Sequence, residues 1–164
     1  MNPREELEIL KRGVETALDW FYENDDDLIR FKVNEQCLVG NFYRYFWKAI
    51  LELLADQTLR VDLEYNKCGR EGNPKVRRDR RMRWRPDMVV HRRGESTRNV
   101  CLFEFKRFDS PKRRKREDLK KLREAVDPLW LDYRFGCYIE FGQTRQSAKV
   151  KWRLSAVLCD GCSN

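Results

Sequence analysis

Hydrophobic residues recur every three or four positions along the first part of the chain, which is the spacing of amphipathic helices. The spacing predicts a helix over residues 4–23, which a run of acidic residues ends. A second helix is predicted from Asn34, a good N-cap residue, to about Asp56, with Glu35 in its first turn, where the helix dipole favours a carboxylate. The apolar positions of the two helices are Leu7, Leu10, Val14, Leu18, Phe21, Leu38, Phe42, Tyr45, Ala49 and Leu53.

Beyond the second helix the apolar residues alternate with polar ones, which is the period of a half-buried strand. The alternation predicts a first strand over residues 59–66, with Asp62 and Glu64 on one face. A second strand is predicted at about 82–92 and a third at 99–107. A long turn marked by glycine and proline separates the first two strands.

A third helix is predicted to begin at Ser110 and Pro111, a cap residue followed by proline at the first helical position, and to run to about Val126. Its opening residues are basic, so we expect them to project into solvent or onto a ligand. Two further strands are predicted near 134–141 and 149–158. This element order predicts an α/β (α+β) fold, with a mixed β-sheet of four to five strands covered by helices. Its first three strands form an antiparallel meander, and the crossover helix brings the next strand back parallel or alongside.

The composition fits one domain over residues 1–164 without a membrane span. Hydrophobic residues make up 41% of the chain and charged residues 38%, and the mean hydropathy is −0.82. The longest near-apolar stretch, residues 49–55, is interrupted by Glu52, whereas a membrane-spanning helix needs about 20 apolar residues. Because no apolar secretory segment follows the N-terminus, we expect a cytosolic protein.

Positive charge is concentrated in two segments of the chain, whose formal net charge is +8. Residues 67–93 carry 11 basic and 3 acidic side chains, and residues 106–123 carry 10 basic and 3 acidic side chains. Clustered lysine and arginine are typical of a surface that binds phosphates, although a solvated basic face gives the same pattern. The candidate nucleic-acid-binding residues are Arg77, Arg78, Arg80, Arg81, Arg83, Arg85, Lys112, Arg113 and Arg114.

Glu104 and Lys106 stand two apart in the third predicted strand, so their side chains point to the same face. Phe103 and Phe105 point to the other, apolar face. If the second and third strands are hairpin partners, Asp87 lies close to Glu104. Two carboxylates, together with phosphate oxygens and waters, suit Mg²⁺ or Mn²⁺, and a nearby lysine orients the attacking water or stabilises developing charge. A buried salt bridge between Glu104 and Lys106, with Asp87 capping a turn, explains the same spacing.

The histidine and cysteine residues add few candidates. The single histidine, His91, excludes two-histidine zinc sites, and we expect it to be buried and hydrogen-bonded rather than a general base. Cys101 and Cys137 lie in predicted strands and are expected in the core. Cys159 and Cys162 form one CxxC pair, whereas a structural zinc needs four ligands, so we expect a frayed tail with free thiols.

Two motif segments resemble the signature of the PD-(D/E)XK nuclease superfamily, which has the restriction-endonuclease-like fold. They are Arg-Pro-Asp-Met-Val-Val at 85–90 and Leu-Phe-Glu-Phe-Lys at 102–106. The superfamily core, a helix, three strands, a helix and a strand (αβββαβ), matches about residues 34–142, which leaves the N-terminal helix and the last strand as additions. Residues 61–66 and 86–94 resemble small standalone bacterial members in particular.

The resemblance implies a nuclease that uses Mg²⁺ or Mn²⁺ to hydrolyse DNA or RNA. Asp87 and Glu104 would bind the metal, and Lys106 would act on the attacking water. Glu35 matches the acidic residue that many members supply from the first core helix, and Glu64 is a further candidate for the same cluster. The scaffold also supports nucleic-acid binding without cleavage, and a basic accessory protein with an acidic partner is a third interpretation. Cutting both strands is easier for a symmetric dimer, so the sequence leaves a homodimer open.

Overall fold

A five-stranded mixed β-sheet with helices on its faces forms the framework of the protein. The computed structural model describes residues 1–56, 58–68, 73–75, 83–95 and 98–159. The helices are α1 (Pro3–Asn24), α2 (Asp27–Arg30), α3 (Glu35–Ala49), α4 (Leu51–Leu54), α5 (Lys112–Ala125) and α6 (Ala156–Cys159). The strands are β1 (Leu59–Leu63), β2 (Lys67–Cys68), β3 (Asn73–Pro74), β4 (Met88–Arg92), β5 (Asn99–Arg107), β6 (Phe135–Phe141) and β7 (Lys149–Leu154).

The sheet has the order β1-β4-β5-β6-β7, and the short strands β2 and β3 pair separately. Antiparallel pairing joins β1 to β4, β4 to β5 and β6 to β7, whereas β5 and β6 are parallel. The helix α5 is the connection between the two parallel strands. The predicted mixed sheet, its antiparallel meander and its crossover helix are therefore confirmed.

The sheet separates two hydrophobic clusters. On one face Phe103 of β5 packs against Phe46 of α3, with ring centroids 5.1 Å apart, and the helix α1 completes this layer. On the other face Leu102 packs beneath α5. Because side chains alternate along a strand, Glu104 and Lys106 share the α5 face with Leu102, as the sequence predicted.

The helix α5 lies close over the sheet because Gly136 of β6 has no side chain beneath it. A Cβ at this position would lie 3.3 Å from Cδ2 of Leu122 and 3.4 Å from Cγ1 of Val126. Leu122 and Ala125 are fully buried at this contact. The close approach also carries Asp118, one turn earlier on α5, down towards β5.

Several predicted boundaries differ from those observed. The second helix is interrupted at Ile50, where the backbone leaves helical geometry with φ of −111° and ψ of 21°, and a separate turn, α4, follows. The first strand ends at Leu63 because Glu64 has a left-handed backbone with φ of 51°. The second strand begins at Met88, later than predicted.

Two further boundaries lie at the ends of the later elements. The helix α5 begins at Lys112, with Pro111 at the N-cap position and no side-chain cap, so Ser110 does not cap it. The predicted strand over 149–158 ends at Leu154, and the helical turn α6 follows. No helix within the described ranges is long and apolar enough to cross a membrane.

Candidate active site

Asp87 and Glu104 face each other across the β4–β5 hairpin. Met88 pairs with Phe103, and one step further along the same register Asp87 comes opposite Glu104. The backbone N–H of Phe105 donates a hydrogen bond to Oδ2 of Asp87 at 2.8 Å, which holds this carboxylate beside the third strand. The structure thus brings together the two residues that the sequence proposes as metal ligands.

Burial makes the negative charge on both carboxylates unfavourable. Glu104 is 1% exposed, and burial raises its pKa well above the ordinary value, with the neighbouring Asp87 raising it further. Burial raises the pKa of Asp87 to about 6, although the hydrogen bond from Phe105 opposes the shift. Such a pair gains from a nearby positive charge, which a metal ion or an ammonium group can supply.

Lys106 is held between two carboxylates. Its Nζ lies 2.7 Å from Oε1 of Glu35 and 2.9 Å from Oδ2 of Asp118, and it donates to the carbonyl of Phe105 at 2.7 Å. Burial lowers the pKa of Lys106, but the bonds to Glu35 and Asp118 outweigh it, so the pKa is raised overall. Lys106 is therefore held as an ammonium group between these two carboxylates.

Asp118 and Lys121 belong to the same cluster, and the sequence reasoning missed both. Nζ of Lys121 lies 2.6 Å from Oδ1 of Asp118 and 3.4 Å from Oε2 of Glu104. The only signal in the sequence is that Asp118, Lys121 and the apolar Leu122 share one helix face. The resulting chain of alternating charges runs through Glu35, Lys106, Asp118, Lys121 and Glu104.

Trp84 also contacts Glu104, and the sequence analysis did not identify it as a site residue. Its Nε1–H donates to Oε1 of Glu104 at 2.9 Å, and the indole is 2% exposed. Each oxygen of Glu104 therefore has one neighbour, Trp84 on one side and Lys121 on the other. Burial lowers the pKa of Lys121, whereas Glu104 and Asp118 raise it, and the overall shift is upward.

A pocket of about 230 Å³ opens beside Asp87. On the wall of this pocket, Nε2 of Gln36 donates a hydrogen bond to Oε1 of Glu64 at 2.9 Å. Nε of Arg85 lies 3.4 Å from the same oxygen. The pocket is lined by Glu35, Gln36, Val39, Leu63, Glu64 and Asp87.

Three of the four predicted metal ligands, Glu35, Glu64 and Asp87, line this pocket. Across the described ranges, no three histidine, cysteine, aspartate or glutamate side chains are arranged to hold a metal ion. Glu35 is instead bound to Lys106, and Glu64 to Gln36. Asp87 and Glu104 lie opposite each other as a pair of oxygen donors.

Five of the nine predicted nucleic-acid-binding residues lie within the described ranges, in two groups. Arg83 and Arg85 are exposed, and Arg85 lies beside the pocket at Glu64. At the start of α5, Arg113 pairs with Glu117 at 3.1 Å, and the neighbouring basic side chains Lys112 and Arg114 are also exposed. Arg77, Arg78, Arg80 and Arg81 lie outside the described residues.

The remaining candidates have structural roles. His91 is 2% exposed, and its Nε2 lies 2.9 Å from Oδ2 of Asp62, so the prediction of a buried, hydrogen-bonded histidine is confirmed. Burial lowers its pKa. Cys101 and Cys137 are buried in the core, as predicted, whereas Cys162 of the CxxC pair lies outside the described residues.

Comparison with known protein families, curated proteins and solved structures finds no match for the chain. The features that point to a function are therefore the two motif segments and the arrangement of their side chains.

Proposed function

We propose that the protein is a magnesium-dependent nuclease of the PD-(D/E)XK type. The observation that carries the proposal is the facing pair of Asp87 and Glu104, whose pKa values burial raises, next to the ammonium group of Lys106. We also propose that the chain contains a restriction-endonuclease-like core. The order α3, β1, β4, β5, α5 and β6 supports it because it repeats the helix, three strands, helix and strand of that core.

Asp87 and Glu104 fit a magnesium ion by the chemistry of their donors. Mg²⁺ usually takes one or two carboxylates from a protein and keeps several waters, and the pair offers two. Because burial disfavours an uncompensated negative charge on both groups, a bound cation would stabilise their ionised forms. The bound metal would neutralise a phosphodiester and lower the pKa of an attacking water.

Lys106 contributes a positive charge that is already in place. Glu35 and Asp118 hold its ammonium group in one position and keep it protonated. A fixed charge of this kind stabilises negative charge that develops on a phosphate without reorganising during the reaction. Glu35 and Asp118 are therefore positioning residues in this proposal, and Lys121 balances the charge of Glu104.

The proposal is tested by cleavage of supercoiled plasmid, single-stranded DNA and RNA with and without Mg²⁺. We expect the wild-type protein to cut only with the metal, and Glu104→Gln to lose about 100-fold or more of the rate. The matched control is Glu6→Gln, which neutralises another fully buried carboxylate, one that pairs with Arg134 on the α1 side of the molecule. No metal-dependent cutting by the wild type, or equal rates for Glu104→Gln and wild type, would contradict the proposal.

A nucleic-acid-binding module without catalysis is the second candidate. It is favoured by one observation, that Lys121 already places an ammonium group 3.4 Å from Glu104. Such a module shows salt-dependent binding of DNA and no metal-dependent cutting. A basic adaptor for an acidic protein would bind DNA weakly and release it readily.

A further inference from the structure

The edge strand β7 presents a row of cations on the face of the sheet that carries the candidate site. Lys149 pairs with Glu140 and Lys151 with Tyr138, so the two lysines point to the α5 side, while Trp152 packs into the opposite cluster. Arg153 follows the same alternation. The side chains of Lys149, Lys151 and Arg153 are all exposed.

A single carboxylate joins this row to the basic start of α5. Oε1 of Glu140 lies 3.1 Å from Nζ of Lys115 on α5 and 3.3 Å from Nζ of Lys149 on β7. The two basic segments are therefore adjacent in space, although β6 lies between them along the chain.

The same carboxylate relates this surface to the candidate site. Glu140 pairs with Lys106 on one side and with Lys149 on the other, so the three residues form one row across the sheet. Neighbouring strands lie about 4.8 Å apart, which places the backbone of Lys149 about 10 Å from that of Lys106. The cationic surface thus begins two strands away from the proposed reacting centre.

Most of the positive charge on this surface is not balanced locally. Arg113 pairs with Glu117, and Lys115 and Lys149 share Glu140. Like charges held together repel, and an approaching polyanion relieves that repulsion. Within the described ranges, no ion pair involves Lys112, Arg114, Arg116, Lys151 or Arg153.

From these contacts we infer that the start of α5 and the exposed face of β7 form one surface that binds the phosphate backbone of the nucleic acid. The inference rests on the proposed function in taking a nucleic acid as the substrate. A two-residue repeat on an antiparallel strand spans about 7 Å, and evenly spaced cations suit a backbone whose charges also repeat evenly. Contacts of this kind hold the substrate without reading its sequence.

The test is a binding titration by fluorescence anisotropy, with a labelled DNA duplex and a chelator in place of metal, over a series of salt concentrations. The test variant is Lys151→Gln with Arg153→Gln. The matched control, Arg4→Gln with Lys48→Gln, removes the same charge from exposed positions on α1 and α3, which cover the opposite face of the sheet. Circular dichroism and thermal melts verify that each variant is folded.

We expect the slope of log affinity against log salt to flatten by about 1.8 in the β7 variant, since each phosphate contact on duplex DNA contributes about 0.9. The control should keep the wild-type slope, and unrelated sequences should lose affinity alike. Equal slopes in the two variants, no binding by the wild type, or displacement of the duplex by polyglutamate at equal charge concentration would overturn the inference. Because nothing is cut in this assay, its failure is separate from a failure of the plasmid assay.

Discussion

The ammonium nitrogen of Lys106 lies 2.9 Å from Oδ2 of Asp118, although the first is on a central strand and the second on the crossover helix. The other oxygen of Asp118 lies 2.6 Å from Lys121, so one carboxylate holds two lysines on the same side of the sheet. Asp118 is 3% exposed. The helix α5 is therefore part of the candidate site and not only a cover for the sheet.

Replacing Asp118 by asparagine should destabilise the protein. The substitution keeps the size of the side chain but leaves Lys106 and Lys121 without the carboxylate they share. Removing one partner of a buried ion pair costs about 3 kcal/mol or more. Urea denaturation of Asp118→Asn measures this loss. The control is Asp109→Asn, whose carboxylate pairs with Arg107 at the surface and should change stability by about 1 kcal/mol or less. Equal losses in the two variants would show that the Asp118 contacts contribute no more than surface pairs.

Removing the charge of Lys106 should separate catalysis from metal binding. In Lys106→Met we expect cleavage of plasmid to be lost while the affinity for Mn²⁺ changes by no more than a few-fold, because the ammonium group acts on the reacting centre. Lys11→Met, at an exposed lysine of α1 that pairs with Glu8, serves as the control for both measurements. A parallel loss of metal affinity in Lys106→Met would mean that Lys106 organises the carboxylates instead.

In the absence of metal, Asp87→Asn should be more stable than the wild type above pH 6. Burial raises the pKa of Asp87 from 3.8 to about 6. Between about pH 4 and pH 6 the folded protein thus retains a proton that the unfolded chain has lost, so stability falls as pH rises through this window. The raised pKa of Glu104 acts in the same direction.

The free energy of unfolding, measured against pH for both proteins, tests this expectation. The difference in favour of Asp87→Asn should grow between pH 4 and pH 6 and then level off. A wild-type protein that gains stability relative to the variant across this window would indicate that Asp87 is stabilised as a carboxylate.

Trp84→Phe should raise the pH midpoint of metal binding. Burial and Asp87 raise the pKa of Glu104, and the hydrogen bond from the Trp84 indole opposes them. Loss of the donor therefore raises the pKa further, and a higher pH is needed before the carboxylate can bind a cation. Mn²⁺ titrations over a range of pH give the midpoint. Trp152→Phe, on the opposite face of the sheet, should leave the midpoint in place, and an unmoved midpoint in Trp84→Phe would count against the role of this bond.

The central strand β5 was predictable from the sequence, ends included. Its residues alternate between the two faces of the sheet, and the motif segments align Asp87 with Glu104 once a hairpin is assumed. The alternation of apolar and polar residues also predicted β7. The same alternation continues through residues 156–158, but there the chain forms the helical turn α6. Hydrophobic period alone does not distinguish these two outcomes over so few residues.

Asp118 and Trp84 could not be predicted because the signals that reveal buried residues do not apply to them. Asp118 occupies a buried position in a helix whose first half is almost wholly charged, so the sequence pattern predicts an exposed side chain there. Its burial depends on Lys106 of a distant strand, which supplies the opposite charge. Trp84 precedes β4 in an irregular segment, and no periodicity relates it to Glu104.

A calorimetric titration of Mn²⁺ into the wild-type protein and into Asp87→Asn at pH 8, above the raised pKa of Asp87, tests whether the two carboxylates bind a metal ion. We expect saturable binding by the wild type and a loss of affinity of about tenfold or more in the variant, since one of two carboxylate ligands is removed. No binding by the wild type, or the same affinity in both proteins, would contradict the claim that Asp87 and Glu104 form a metal site.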